Sequence, residues 1–162
     1  MLENNDKYFE VLNDIKKTLM TTRNRIVENV NKDLVLMYYS IGLKLIENNK
    51  WGSSFIDMLA KDLKREFPTL KGMSARNLRY MQKFATEFDN DEFLQHDVAK
   101  LPWSSLTTIM DRVKDKEQRK WYIIESIENG WARSVIIHQI ASKLYERQAL
   151  LENKTTNFDN TL

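Results

Sequence analysis

The chain has 162 residues, of which 42% are hydrophobic and 30% are charged, so it can bury a core and has the composition of a globular domain. Its four glycines and two prolines argue against a turn-rich β-protein, and the absence of cysteine excludes disulfides and thiolate chemistry. There is no signal peptide and no apolar run near the ~18 residues of a membrane span, so we expect a cytoplasmic protein without a membrane partner.

Helical periodicity runs through the chain and predicts an all-α fold, a helical bundle with helix-turn-helix-like units. Apolar residues recur at helical spacing over residues 7–22 and 24–48, and the sequence leaves open whether the second segment is one helix or two. Further helices are predicted over residues 54–66 and 74–88, from Leu101-Pro102-Trp103-Ser104 onward, and over 116–129 and 133–148. Residues 149–162 lose the periodicity, which predicts an extended tail after a helical domain of residues 1–148.

Two pairs of predicted helices are joined by short turns that contain glycine. One pair is 54–66 with 74–88, and the other is 116–129 with 133–148, joined by Gly130-Trp131-Ala132. Such turns recur in helix-turn-helix DNA readers, but they also recur in helical bundles of any function. The pattern is therefore compatible with DNA binding without being specific to it.

The net charge of +2 is distributed unevenly along the chain. Residues 51–86 carry seven basic and three acidic side chains, and residues 98–147 carry nine and six. Residues 87–97, between these blocks, carry five acids and no Lys or Arg. Such an asymmetry bears on the choice of partners rather than on the fold.

The helix that begins near Ser74 is the most informative segment. The Ser74 hydroxyl is predicted to cap it by accepting a hydrogen bond from an unpaired backbone N–H. At 100° per residue an apolar side forms, made of Leu78, Met81, Ala85 and Phe88. The opposite side carries three cations, Arg76, Arg79 and Lys83. An apolar back with a basic front suits a helix that presents charge to a phosphate backbone.

Eight residues are candidates for DNA contacts. The three cations of this helix would reach phosphates or a groove, and Lys71 and Ser74 lie where free helix N–H groups favour anions. Arg133 and Ser134 hold the matching position in the second pair of helices. Asn77 lies toward the apolar side, where it could equally cap or pack. The full set is Lys71, Ser74, Arg76, Asn77, Arg79, Lys83, Arg133 and Ser134.

Two alternatives stay open at this stage. Arg76 and Arg79 could instead pair with the acidic residues of 87–97 and hold that segment in place. The chain could also be an interaction module, because residues 34–46 are apolar nearly all round and could form a homodimer seam or dock a partner.

Several motifs follow one another in a specific order within residues 30–162: Trp51-Gly52, Leu59-Ala60-Lys61-Asp62-Leu63, Phe67-Pro68, Gly72-Met73-Ser74-Ala75-Arg76-Asn77-Leu78, Leu101-Pro102-Trp103-Ser104 and Glu128-Asn129-Gly130-Trp131-Ala132-Arg133. In this order they resemble the N-terminal domain of YhcG-like nucleases. The resemblance implies a bacterial helical domain, presumed to bind DNA, that precedes a nuclease domain of the PD-(D/E)xK class.

The chemistry of that nuclease class is not expected in this chain. Its site needs carboxylates and a lysine on a β-hairpin to hold Mg²⁺ and orient water. Three triplets match by letters, Asp14-Ile15-Lys16, Asp62-Leu63-Lys64 and Glu152-Asn153-Lys154, but two lie in helical segments and one in the polar tail. Neither His96 nor His138 has the further ligands of a zinc site. We expect no catalytic residue, metal or cofactor here, and a nuclease domain after Leu162 in the full-length protein.

Overall fold

The computed structural model describes residues 2–48, 52–88 and 98–161, and these ranges contain seven α-helices, one short 3-10 helix and no strand. The helices are α1 (Leu2–Glu47), α2 (Ser53–Glu66), α3 (Ala75–Glu87), the 3-10 helix (Val98–Lys100), α4 (Trp103–Arg112), α5 (Lys116–Asn129), α6 (Arg133–Ala141) and α7 (Leu144–Thr161). The predicted all-α fold is confirmed. None of these helices is both long enough and apolar enough to cross a membrane.

The first two predicted segments form one helix, α1, of 46 residues. Its glycine, Gly42, does not interrupt it but lies where α1 crosses α3. A Cβ atom on Gly42 would overlap the carbonyl oxygen of Met81 in α3. The absence of a side chain therefore lets the two helix backbones approach closely at this point.

Helix α3 lies between two groups of buried side chains. The first group joins α3 to α1 and α2 and consists of Tyr38, Leu45, Ile56, Met73, Leu78 and Met81. The second group includes Phe84 and Phe88 at the end of α3 and extends into α4, α5 and α6 through Leu106, Ile109, Tyr122, Ile123 and Ile136. The Trp103 ring packs against both groups, so the two form a continuous interior.

The segment 34–46, one of the predicted interaction surfaces, is largely covered within the chain. Val35, Tyr38 and Leu45 are buried, and α3 packs directly on this part of α1. Asn31, one turn earlier, donates hydrogen bonds to the carbonyl oxygens of Ala99 (3.0 Å) and Leu101 (3.1 Å). Part of the apolar character of this segment thus belongs to the core, and the homodimer seam predicted here stays a prediction.

Residues 5–30 of α1, which we call the α1 arm, extend beyond this core. All their side chains are exposed except Leu12 and Thr22, which are half-buried. The apolar stripe predicted over residues 7–22 is present on a helix, but nothing in the described part of the chain covers it.

The end of the chain differs from the prediction in two ways. The helix predicted over 133–148 is broken at Ser142 and Lys143, where Lys143 adopts a left-handed backbone with φ 57°. Residues 149–161, predicted to be extended, continue α7 as helix. The segment lacks apolar periodicity, but it contains no glycine or proline and includes good helix formers such as Ala149, Leu150 and Glu152. Apolar periodicity reports on burial, so its absence does not exclude a helix.

Candidate nucleic-acid interface

Helix α3 begins and packs as its sequence predicts. The Ser74 hydroxyl accepts a hydrogen bond from the backbone N–H of Asn77 at 3.1 Å, which satisfies one of the free donors at the helix start. All four residues of the predicted apolar side, Leu78, Met81, Ala85 and Phe88, are buried. The side that carries Arg76, Arg79 and Lys83 consequently faces outward, and all three residues are exposed.

Four of the eight candidate residues meet in one cleft, although they come from both predicted helix pairs. Ser74, Arg76, Asn77 and Arg133 line a space of about 350 Å³ between the starts of α3 and α6 and one side of α4. We call this space the first cleft; its remaining lining residues are Gly72, Tyr80, Thr107, Thr108 and Asp111. The Nε of Arg133 donates to the Thr108 hydroxyl at 2.9 Å, which fixes this guanidinium at the cleft wall.

Arg76 is held at the first cleft by an aromatic neighbour. Its guanidinium carbon lies 5.7 Å from the centroid of the Tyr80 ring, and its Nη2 is 3.4 Å from the Tyr80 hydroxyl. That hydroxyl donates a short hydrogen bond to the carboxylate of Asp111. The hydrogen bond with Tyr80 also raises the pKa of the Arg76 guanidinium above its ordinary value.

Arg79 and Lys83 line a second cleft of about 480 Å³, one and two turns further along α3. Lys116 and Arg119 of α5 complete its basic lining, together with Gln82, Thr86 and Glu87. Arg79 forms an ion pair with Asp57 of α2 at 3.0 Å, with both side chains about half exposed. Lys83 Nζ donates to the carbonyl oxygen of Met110 at the end of α4 (3.1 Å).

The ion pair between Arg119 and Glu87 is the buried electrostatic contact of the second cleft. Their closest atoms are 2.5 Å apart, and the side chains are only 15% and 6% exposed. Arg119 also donates to the Lys114 carbonyl oxygen at 2.7 Å, whereas its Nε has no hydrogen-bond partner among the described residues. Glu87 therefore anchors α3 to α5.

The structure describes only part of the acidic run 87–97 that, in the alternative interpretation, would pair with Arg76 and Arg79. Residues 89–97 lie outside the described residues. Within the described ranges, Arg79 pairs with Asp57 and Arg76 contacts Tyr80, while Glu87, the first acid of the run, pairs with Arg119.

Asn77 uses its side chain inside the domain. Its Nδ2 donates to the Gly72 carbonyl oxygen at 2.7 Å, and its Oδ1 accepts from the indole N–H of Trp103 at 2.8 Å. Both contacts hold the loop before α3 against the start of α4. Tyr38 lies beside this loop, where burial raises the pKa of its phenol despite an opposing hydrogen bond with Asn77.

The two remaining candidates, Lys71 and Ser134, are exposed and line neither cleft. The sequence reasoning did not single out Tyr80, Lys116 or Arg119. Tyr80 could have been found, because it lies four residues after Arg76 on the same helix face. Lys116 and Arg119 reach the second cleft only through tertiary packing of α5, for which the sequence carries no local signal.

A further cavity, of about 650 Å³, lies elsewhere, and none of the eight candidates lines it. It is bounded by α1 near Lys32, by residues 99–102 and by the turn at Gly130 and Trp131. In the described part of the chain, no group of three or more His, Asp or Glu side chains is placed to hold a metal ion.

Residues 14–147 of this all-helical chain match the DUF1016 N-terminal domain family, and the chain belongs to that family. It is similar to a protein of Escherichia coli strain K12 named Putative nuclease YhcG, with 26% identity over 184 aligned residues. The alignment covers 91% of this chain and 48% of the relative, so the chain spans about half the length of that protein. No solved structure matches the chain. The resemblance to the N-terminal domain of YhcG-like proteins is confirmed.

Proposed function

We propose that this domain binds DNA through the outward side of α3 and the start of α6, and that it thereby positions a nuclease domain of the PD-(D/E)xK class on DNA. One observation carries the proposal. Arg76 and Arg133 are far apart in sequence, yet they line the same cleft beside the N-terminus of α3. The E. coli relative is named a putative nuclease, which supports DNA as the anionic partner.

The charges around the two clefts favour an anionic partner. Six cations line them, namely Arg76, Arg79, Lys83, Lys116, Arg119 and Arg133, against two acids, Glu87 and Asp111. Both acids are engaged, Glu87 by Arg119 and Asp111 by the Tyr80 hydroxyl. Asp57, at the edge, offsets part of the charge of Arg79. The surface keeps an excess of positive charge, which attracts a phosphate backbone over several ångströms.

The start of α3 adds to this attraction. The first backbone N–H groups of a helix lack partners within it, and the helix dipole places partial positive charge there. Ser74 satisfies one of these donors through the Asn77 N–H, and Arg76, in the same first turn of α3, lines the first cleft. A phosphate at this point would meet both a guanidinium and free N–H donors.

We also propose that this domain is not catalytic, because its three nuclease-like triplets do not stand on a β-hairpin. Asp14-Ile15-Lys16 lies within α1, Asp62-Leu63-Lys64 within α2, and the start of Glu152-Asn153-Lys154 continues α7. In the PD-(D/E)xK class the matching residues stand on a β-hairpin, and Asp62 is already hydrogen-bonded to Arg65 at 2.8 Å. In our proposal the cleavage chemistry belongs to a different domain of the full-length protein.

The proposal is tested by fluorescence anisotropy of a short labelled duplex over a salt series. For the wild-type chain we expect binding that weakens steeply with salt. In Arg76→Ala/Arg133→Ala the slope of log K against log salt should fall by about 1.8, since each lost phosphate contact contributes about 0.9.

The matched control is Lys61→Ala/Lys64→Ala, which removes the same charge from exposed positions of α2 that line neither cleft. It should keep nearly the wild-type slope. No binding at low salt, or equal losses in both double variants, would contradict the proposal. A matching set of branched DNA probes would show whether the domain prefers a junction.

In the alternative function, an interaction module, a partner would meet a surface more exposed than residues 34–46, where Val35, Tyr38 and Leu45 are buried within the chain. The α1 arm offers such a surface, and it is compatible with DNA binding.

A further inference from the structure

The first cleft is lined by an acid, Asp111, beside the two arginines Arg76 and Arg133. Asp111 lies in the last turn of α4, where the partial negative charge of the helix dipole disfavours an acid. A carboxylate also repels the phosphates that the arginines would attract. Neither the stability of α4 nor the binding of a phosphate backbone therefore accounts for an acid at this position.

Asp111 does not neutralise the two arginines. Within the described residues it forms an ion pair with neither of them. The guanidinium of Arg76 lies over the Tyr80 ring, and the Nε of Arg133 donates to the Thr108 hydroxyl at 2.9 Å. The Tyr80 hydroxyl donates to one carboxylate oxygen of Asp111, Oδ2. The carboxylate is thus held by a neutral group, and its Oδ1 accepts no hydrogen bond from the described part of the chain.

The chemistry of this oxygen indicates which part of DNA it would contact. An ionised carboxylate only accepts hydrogen bonds, so its ligand must be a donor. A backbone phosphate is negatively charged and offers acceptor oxygens alone. The donors that a duplex presents in its major groove are the exocyclic amino groups of cytosine, at N4, and of adenine, at N6. Asp111 therefore suits a base edge, while the arginines suit the phosphates.

A carboxylate favours cytosine over adenine. Adenine presents its N6 amino group beside N7, an acceptor, and an amide side chain matches this pair with one donor and one acceptor. A carboxylate has no donor for N7. Cytosine presents its N4 amino group in the major groove without an acceptor of its own beside it. The acceptor-only chemistry of Asp111 is thus complementary to cytosine.

We propose that Asp111 is a specificity-determining residue that accepts a hydrogen bond from the N4 amino group of a cytosine when the domain binds DNA. This inference rests on the proposed function, because Arg76 and Arg133 must first bring DNA to the first cleft. Phosphate contacts fix the orientation of the protein on the duplex, and base contacts select the sequence. Tyr80 is a positioning residue, since its hydroxyl holds the carboxylate.

The test is competitive binding of a duplex library randomised over about ten base pairs, one turn of the duplex, with sequencing of the bound and free fractions. For the wild-type chain we expect one position at which cytosine is enriched about tenfold, since a wrong base pair lowers the affinity by this order. In Asp111→Ala this enrichment should vanish. The mean affinity for the library should rise in the same variant, because an acid that repels phosphates is removed.

Asp111→Asn distinguishes base recognition from a role limited to holding Tyr80. The asparagine carbonyl oxygen can still accept the hydrogen bond from the Tyr80 hydroxyl, so the supporting contact is kept. The amide also supplies a donor, and the preferred base at that position should shift from cytosine to adenine. An unchanged preference for cytosine in Asp111→Asn would overturn the proposal.

The matched control is Asp57→Ala, which removes an acid that pairs with Arg79 and lines neither cleft. Its mean affinity for the library should also rise, but the preference for cytosine should remain. Wild-type binding without a preferred base, a wild-type preference for adenine, or equal loss of preference in Asp57→Ala would overturn this inference alone. A wild-type chain that binds no duplex at low salt would contradict the proposed function, and this inference with it.

Discussion

The outward side of α3 and the α1 arm are both exposed, but they are exposed in different ways. On α3, the cations are held by neighbours: Arg76 by Tyr80, Arg79 by Asp57 and Lys83 by the Met110 carbonyl. On the arm, apolar side chains such as Ile15 and Leu19 have no comparable contacts in the described chain. The cations of the first surface are thus ordered by the domain itself, as our proposal of an anionic partner requires. The apolar side chains of the second surface are covered by nothing in the described residues.

A second comparison can be made within α1, between two leucines of the same helix. Leu19 in the arm is 64% exposed, whereas Leu45 near the other end of the same helix is 3% exposed. Residues 34–46 meet α3, whose backbone approaches closely at Gly42. The arm extends past the end of that contact.

The largest expected effect comes from this pair of leucines. Leu45→Ala should lower the free energy of unfolding by about 3 kcal/mol, because it leaves a cavity between α1, α2 and α3. Leu19→Ala should lower it by less than about 0.5 kcal/mol, because the Leu19 side chain is exposed. Urea denaturation of both variants measures the difference, and similar losses would show that the arm is covered within one chain.

How much of this arrangement could be predicted from the sequence depends on the kind of interaction. Helical periodicity and the Ser74 cap predicted α3 and its buried side correctly, because both signals are local. The arm and residues 34–46 both carry apolar residues at helical spacing, and this spacing alone does not show whether another helix covers them. The pairing of Arg119 with Glu87 joins residues 32 positions apart and depends on how α5 packs.

A second substitution tests the contact that separates the two halves of α1. Gly42→Ala should lower the free energy of unfolding by about 2 kcal/mol, since the added methyl overlaps the Met81 carbonyl oxygen and forces α1 and α3 apart. The control, Ser40→Ala, changes an exposed residue of the same helix and should stay within about 0.5 kcal/mol of wild type. A Gly42→Ala variant as stable as the control would contradict the inference that α1 and α3 approach too closely at this point for a side chain.

A third substitution, with a smaller effect, tests whether Asn77 stabilises the loop before α3 or contacts DNA directly. Asn77→Ala should cost about 1.5 kcal/mol, because the indole N–H of Trp103 and the Gly72 carbonyl oxygen lose their partner. The salt slope of DNA binding should remain close to wild type, since Asn77 carries no charge. A slope reduced as far as in Arg76→Ala/Arg133→Ala would instead show that the loop it supports determines the phosphate contacts.

The most direct measurement of the central claim is hydrogen–deuterium exchange of the chain with and without a short DNA duplex at low salt. The account predicts slower exchange at residues 71–80 and at the start of α6 near Arg133, with little change in α2. Slower exchange confined to other helices, while binding is saturated, would contradict the placement of DNA on the outward side of α3.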